Sequence, residues 1–432
     1  MKRYKDYGLL RIVEILLEDV TDEIISLTKQ GYAFPGILVG FKTPEFSINI
    51  SEGHMIDGGE PITKESLFDL ASITKLYTGV IAYKLIDEGV LSMDQIVSEL
   101  FKDEEKFQNL GDLTIRDIMQ FKVEFKTADK EGNEVRIDAA KSTEEAKELL
   151  YNTKVHKKLA YNYNDIGMMI LKEVMEKVTG KTFATLFDEY IIQPLSLQNT
   201  FLTVPKEKTH LITGTPNIVD RLPNDPKAIF MGGYSGHAGV FADNNDLSQF
   251  VTTLMINPKY FNPQHAKDLV TPGAKGNRGI FGATYVSHEK GLDATFVDKK
   301  YPRETFAVQG STRTQAIGGI FKLNQQSIPF ATTILMNPSS LSLETIKSRG
   351  DKISVIERTF IGEDGSEKRF FSVDGRLLVP ARKLDELNKK CASVILKLTL
   401  LGNIIKGYGI DHTKNNEFNL KASNNYRITL LK

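Results

Sequence analysis

A serine followed three positions later by a lysine is the smallest unit in this chain able to make a nucleophile, and Ser72-Ile73-Thr74-Lys75 is such a unit. Residues three apart on a helix project from one face, so the amine reaches the hydroxyl. A serine hydroxyl is a weak nucleophile at neutral pH. A lysine takes its proton only where burial or a neighbouring cation pulls the lysine pKa down towards neutrality. The apolar flanks Phe68, Leu70, Ile73 and Leu76 are suited to supply that burial. A helix N-terminus would add N–H groups and a positive dipole end for a developing oxyanion. The S-x-x-K spacing occurs three times in the chain, against about two expected by chance. Ser26-Leu27-Thr28-Lys29 falls in the last turn of a helix, at the wrong dipole end, and Ser287-His288-Glu289-Lys290 is polar and lies between glycine-rich segments. On spacing alone Ser72 also reads as an ordinary helix-start serine beside a solvated lysine.

The surrounding pattern gives these residues a frame. Leu9, Ile12, Ile15, Leu16, Val20, Ile24 and Ile25 recur at helical spacing over residues 8 to 29. PGILVGFKT and EFSINISEG then read as two strands of a hairpin, broken at Thr43-Pro44, and the segment after Ser72 returns to helical spacing. From about 90 to 270 the pattern is mostly helical. Strand signals come back after 300 in TFAVQG, TQAIGGIFKL and PFATTILMN, followed by a hairpin candidate turning at Asp364-Gly365 and a helix starting near Pro380. The expected fold is α+β, an α/β sandwich whose antiparallel sheet is flanked by helices and formed by both chain ends, carrying an inserted all-α lobe. The expected division is an α/β domain over 1–90 and 271–405, a helical lobe over 91–270 and a C-terminal extension over 406–432, with the site in the cleft between the first two.

Composition excludes several classes. With 55 basic and 55 acidic residues and no net charge, nothing gathers nucleic acid, and a small-molecule or peptide substrate is expected. The single Cys391 and seven scattered histidines form no closely spaced ligand set, and no phosphate-binding glycine loop appears, so no metal and no cofactor are expected. No run approaches a membrane span. The N-terminal apolar stretch is interrupted by Glu14, Glu18 and Asp19, which marks an amphipathic helix rather than a leader. The sequence as it stands reads as cytoplasmic, and as extracytoplasmic if a leader has been removed.

SLFDLASITKLYTGVIAYKLIDEGVLSMDQIV resembles the nucleophile helix of the class C β-lactamases, low-molecular-weight penicillin-binding proteins and related esterases, and GYAFPGILVGF looks like that family's entry strand. The resemblance covers roughly residues 30 to 340 in the family's element order. It implies a serine acylated at Ser72, a lysine base at Lys75 and a Y-x-N or Y-x-D element from the helical lobe. Tyr163-Asn164-Asp165 fits that element best because Ile166-Gly167 and an apolar helix follow, with Tyr161-Asn162-Tyr163 as the other register. Tyr163 would then relay a proton to the leaving group, and Asp165 would bond Lys75 or the substrate. Apart from the family, the pair also reads as a buried helix-start tyrosine with a capping aspartate. DPKAIFMGGYSGHAGVFADNNDLSQF is similar to the family's glycine-rich loop. Gly232, Gly233, Gly236 and Gly239 serve backbone packing there, and His237 a structural role.

Two places depart from the family. Its third element places lysine or histidine, then threonine or serine, then glycine on the strand lining the cleft; here those positions are Val308, Gln309 and Gly310. Valine attracts no carboxylate, which disfavours β-lactams and D-alanyl-D-alanine peptides. Arg313 has the wrong strand parity to replace the charge unless the chain bulges. The amide of Ser311 could still pair with that of Ser72 as an oxyanion hole, and Gln309, Gly310 and Ser311 are the expected substrate-binding residues beside Asp165. The second departure is Phe121-Lys122-Val123, where relatives carry a histidine-containing turn. These losses leave two readings: an acyl-transfer serine hydrolase on an ester or amide, or an impaired relative that binds a cell-wall fragment or peptide without turnover.

Overall fold

Helix α1 (Lys2–Lys29) lays one stripe of apolar side chains on the sheet: Val13, Leu17, Val20, Ile24 and Leu27 are fully buried. The expected stripe was partly out of phase: of its seven residues only Val20 and Ile24 are fully buried, and Val13, Leu17 and Leu27 were not in it. Ile12 and Ile15 are 45% and 55% exposed, because only one series of three- and four-residue steps can face a flat sheet. The computed structural model describes residues 2–29, 34–56, 58–214, 221–271, 279–285, 298–323, 325–336, 355–373, 381–407, 416–421 and 429–430. The third S-x-x-K copy, at Ser287, lies outside them.

Strands β1 (Gly36–Lys42) and β2 (Phe46–Gly53) form the expected hairpin, closed by the Thr43 amide donating to the Phe46 carbonyl at 2.8 Å. The strand period of two sorts their side chains cleanly. Ile37, Val39 and Phe41 of β1, with Phe46, Ile48 and Ile50 of β2, face α1; Leu38 joins the core on the other face. The chain then enters helix α2 (Thr74–Asp87), helix α3 (Ile166–Thr179), the short helix α4 (Pro226–Phe230) and helix α5 (Asn244–Ile256). The helical insertion also contains small antiparallel pairings, between 123–126 and 154–158 and among 68–69, 200–201 and 241–242.

Strands β3 (Thr284–Tyr285), β4 (Thr305–Gln309), β5 (Gln315–Leu323) and β6 (Gln326–Met336) complete most of the sheet, with β6 antiparallel to β1. A separate hairpin follows, β7 (Val355–Ile361) and β8 (Glu367–Val373), turning at Gly362–Gly365 near the expected Asp364-Gly365. It packs on the helical insertion: the Ile361 amide donates to the Lys141 carbonyl at 2.9 Å, and Phe360 meets Phe230 of α4 edge-on, 5.0 Å between centroids. Helix α6 (Ala381–Gly407) lies beside α1. Residues 416–421 and 429–430, in the segment read as an extension, form strands β9 and β10, and β9 runs parallel to β2. The eight-stranded order is β10-β9-β2-β1-β6-β5-β4-β3, so first and last parts of the chain share one sheet. One core lies between the sheet and α1 with α6, the other between the sheet and the insertion. Among the described residues no helix is long and apolar enough to cross a membrane.

The phase of α1 is checkable. Ile24→Ala removes a side chain with no exposure and is expected to lower stability by roughly 2–5 kcal/mol. Ile15→Ala, on the exposed side, should change it by less than about 0.5 kcal/mol. Urea midpoints read both, and equal shifts would mean that the helix docks by another face.

Candidate active site

Ser72 sits in a single 3₁₀ turn, Ala71–Ile73, that runs directly into α2. The turn is held from both sides. The Leu70 amide donates to the Val240 carbonyl at 2.9 Å, and the Asp69 carboxylate accepts from the amides of Ala71 (2.8 Å) and Asn224 (2.7 Å). Burial pushes the Asp69 pKa up to about 6, against those two donors. Ala71 takes the left-handed φ of 46°, rare for a residue with a Cβ, immediately before the serine.

Lys75 is completely buried, one turn on, and its ammonium has three acceptors. It donates to Ser72 Oγ at 2.9 Å and to the His237 carbonyl at 3.3 Å, and Asp165 Oδ1 lies 2.8 Å away. The Tyr163 ring centroid stands 4.9 Å from Nζ, and the ring stacks on Phe121. Tyr163 is therefore the tyrosine brought to Lys75, while Tyr161 lies against Phe121.

The expected pKa of Lys75 is corrected by this geometry. Burial does pull it down, but the charges of Asp165 and Tyr163 and their hydrogen bonds outweigh burial, and the net shift is upward. Lys75 is an ammonium at rest. The sequence shows the apolar flanks but not an acceptor that arrives from 90 residues further along the chain.

Asp165 is free to reach Lys75 because its neighbour does the capping. Asn164 Oδ1 accepts from the Gly167 amide at 2.8 Å, and Asp165 makes no side-chain cap on α3. Its second oxygen meets Lys227 Nζ at 3.0 Å. Burial raises its pKa, but Lys75, His237 and Lys227 together hold it well below the usual carboxylate range. Lys227 was missed in the sequence, where its segment was read only for the glycines and His237 of the loop that follows. Asp225 caps α4 and accepts from His237 Nε2 at 2.9 Å; Ser235 Oγ meets the other ring nitrogen at 2.8 Å. His237 is fully buried and pinned at both nitrogens, and what it offers Lys75 is its carbonyl. The four loop glycines all take positive φ, as a backbone role requires. Asp165, Asp225 and His237 present ligand atoms within 4.8 Å of one another, but Lys75 and Lys227 already neutralise those carboxylates. An ammonium in that place is poor company for a metal ion.

Strand β4 brings the third group. Val308 is buried in the core on the insertion side, Gln309 ends the strand half-buried, and Ser311 is exposed. Gly310 lies so close to the nucleophile turn that a Cβ there would stand 2.6 Å from the Leu70 carbonyl and 3.0 Å from Ala71 Cβ. The chain reverses at once: the Gly310 amide donates to the Thr314 carbonyl, and Arg313, left-handed and buried, sits inside that turn. The strand parity argued for Arg313 does not apply, because the strand ends at Gln309 and the chain turns. Thr312 Oγ1 ties the turn to the Asp69 carbonyl at 3.1 Å.

A sheet built from both chain ends and a serine–lysine pair at the foot of the first inserted helix define the β-lactamase and transpeptidase-like fold. Residues 38–337 match the family model described as Beta-lactamase, and the chain belongs to that family. Among curated relatives, it is 28% identical over 248 residues to an N-acetylmuramyl-L-alanine amidase of Bacillus subtilis (strain 168), covering 48% of this chain and 54% of the relative. It is 28% identical over 244 residues to a putative D-alanyl-D-alanine carboxypeptidase of Escherichia coli (strain K12), covering 48% and 56%. The chain spans about half the length of these relatives. Among solved structures it resembles EstCE1, a hydrolase with promiscuous acyltransferase activity, with a TM-score of 0.60 at 16% identity over 87% of this chain and 100% of that one. It also resembles a D-amino acid amidase from Ochrobactrum anthropi SV3, with a TM-score of 0.58 at 13% identity over 89% and 99%. At those identities the likeness is one of fold.

The Asp165 bridge carries a pH signature. A carboxyl depressed below its unfolded value of 3.8 contributes stability that is present above that value and lost as pH falls through the folded pKa. Asp165→Asn should therefore destabilise the protein by roughly 3–5 kcal/mol near neutrality, where it strands a buried ammonium. The difference from wild type should shrink as pH drops below the usual carboxylate range. Urea titrations at neutral and acid pH test this; a difference that does not change with pH would show that Asp165 is not ionised in the fold.

Proposed function

We propose that this protein is a serine hydrolase that acts on an ester or amide through an acyl-Ser72 intermediate. The observation that carries the reading is the 2.9 Å contact between Lys75 Nζ and Ser72 Oγ, with Tyr163 standing over the same ammonium. A small fraction of Lys75 gives up its proton and accepts the one on Ser72 as Oγ bonds to the substrate carbonyl carbon. The carbonyl oxygen takes the developing negative charge towards the backbone amides of Ser72 and Ser311. The proton then passes from Lys75, by way of Tyr163, to the leaving oxygen or nitrogen as its bond to carbon breaks. Water attacks the acyl-enzyme with the same groups in reverse order and frees Ser72.

Substrate choice follows from Val308. A carboxylate beside the scissile bond would meet valine where relatives carry a cation, so uncharged esters and amides fit better than β-lactams or peptides ending in D-alanyl-D-alanine. The amidase and carboxypeptidase named among the relatives support amide or ester chemistry of this general kind. Gln309, Gly310 and Ser311 would line the acyl side of the cleft and Asp165 the other. We take that cleft to lie between an α/β domain over 1–90 and 271–405 and a helical lobe over 91–270. A second reading has its own observation: buried Val308, with Phe121 in place of the histidine turn, suits a relative that binds a cell-wall fragment or peptide without turnover.

Intact-protein mass spectrometry separates the two. A fluorophosphonate should add once, at Ser72, and Ser72→Ala should give no adduct; a fluorescent penicillin should add to neither. Tyr163→Phe should slow fluorophosphonate addition about 100-fold or more if the phenol relays the proton. No adduct on wild type would transfer the conclusion to the binding protein, and an efficient penicillin adduct would mean that Val308 does not govern the substrate.

A further inference from the structure

The acyl-serine reading uses Ser72, Lys75 and Tyr163, and leaves a second, half-buried lysine unexplained. Lys227, at the start of α4, puts Nζ 3.0 Å from Asp165 Oδ2 while Asp165 Oδ1 holds Lys75 at 2.8 Å. One carboxylate thus bridges two ammonium groups, and only one of them touches the nucleophile. We propose that Lys227 is a positioning residue for the Ser72–Lys75 pair: it fixes the orientation of Asp165 and, as a second cation on that carboxylate, eases the loss of a proton from Lys75.

Geometry and charge both support this. A carboxylate at the start of a helix can turn inward to cap it, and Asp165 does not; Lys227 occupies the oxygen that would otherwise be free to rotate. A side chain whose two oxygens are each engaged has one orientation, which is what the 2.8 Å contact to Lys75 requires. A lone aspartate would stabilise the Lys75 ammonium with its full charge and keep it from acting as a base. Shared with Lys227, the same carboxylate stabilises it less, and the second cation disfavours the charged form of the first.

The groups facing the bridge come from every element around it. Lys75 is faced by Ser72 from its own turn, by Asp165 and Tyr163 from the segment entering α3, and by the His237 carbonyl from the glycine loop. Lys227 is faced by Asp165, by Asp225 at 4.0 Å on its own helix start, and through longer-range charge by Asp138, itself near Arg136 and Arg358. Asp225 is already engaged by His237. The carboxylate that Lys227 meets at hydrogen-bond distance is therefore Asp165. The chemistry proposed above demands only the inner lysine, so the outer one needs a role of its own.

The proposal rests on the acyl-serine reading, and the test keeps the two apart. The rate of fluorophosphonate addition at Ser72 is followed from neutral to alkaline pH in the full chain, for wild type, Lys227→Met, Lys227→Gln and Lys227→Arg, with the urea midpoint of each recorded. In wild type the rate rises with pH as Lys75 loses its proton. Lys227→Met and Lys227→Gln should move that rise to higher pH by roughly one unit, about ten-fold slower at any pH on the limb. Lys227→Arg, which keeps the charge, should return it to near the wild-type position. An unshifted profile in the neutral variants, or an equal loss in arginine and glutamine variants, overturns the proposal while leaving acyl-Ser72 chemistry standing. If wild type itself is not labelled at any pH, the acyl-serine reading falls and this inference with it.

Discussion

A fully buried ammonium has to be surrounded by acceptors, and in this protein the need falls on Lys75. Desolvating it without partners would cost several kcal/mol, so the fold must deliver oxygen atoms to one point. They come from three separate parts of the chain: Ser72 from the turn before α2, Asp165 from the entry to α3, and the His237 carbonyl from the glycine loop. The loop carbonyl is itself held in place, since the His237 ring is tied to Asp225 and Ser235 and the neighbouring Gly236 carbonyl accepts from Thr78 of α2. The nucleophile is thereby placed by the same contacts that make its lysine tolerable inside the protein.

Those contacts also set the resting charge state. Burial favours the neutral amine, but Asp165 and Tyr163 stabilise the ammonium and together outweigh it. A site assembled for stability therefore starts on the unreactive side of its own proton transfer. On the acyl-serine reading, reactivity has to be recovered by whatever weakens Asp165's hold, and Lys227, 3.0 Å from the second oxygen of Asp165, is the group proposed to do so.

The local parts of this arrangement were legible in the sequence and the long-range parts were not. Ser72 and Lys75, three apart on one face, and Tyr163-Asn164-Asp165 ahead of an apolar helix depend on spacing within a few residues, which a sequence displays. The hairpin at Thr43-Pro44 and the turn near Asp364-Gly365 were legible for the same reason. The direction of the Lys75 shift was not, because it depends on a distance between residues 90 apart. Lys227 gave no signal at all: a lysine two residues after a capping aspartate looks like any solvated surface charge. The phase of the α1 stripe failed differently. More than one set of apolar residues in α1 satisfies helical spacing, and only the sheet beneath decides that Val13 and Leu17, which the sequence reading left out, are covered while Ile12 and Ile15 are not.

On the proposed acyl-serine reading, Val308 and Lys227 bear on different partners. Val308 belongs to β4, where its side chain packs into the core facing the insertion, and it stands where the family resemblance leads one to expect a cation directed at the substrate. Lys227 belongs to α4, against whose Phe230 the β7–β8 hairpin packs through Phe360, and it acts on Asp165 rather than on anything entering the cleft. A positive charge facing the substrate selects anions; one facing the catalytic carboxylate adjusts a proton. On the same acyl-serine reading, valine on the strand and lysine behind the aspartate would place this chain's charge for the second task and leave the backbone amides near Gly310 to handle the substrate's oxygen without regard to its net charge.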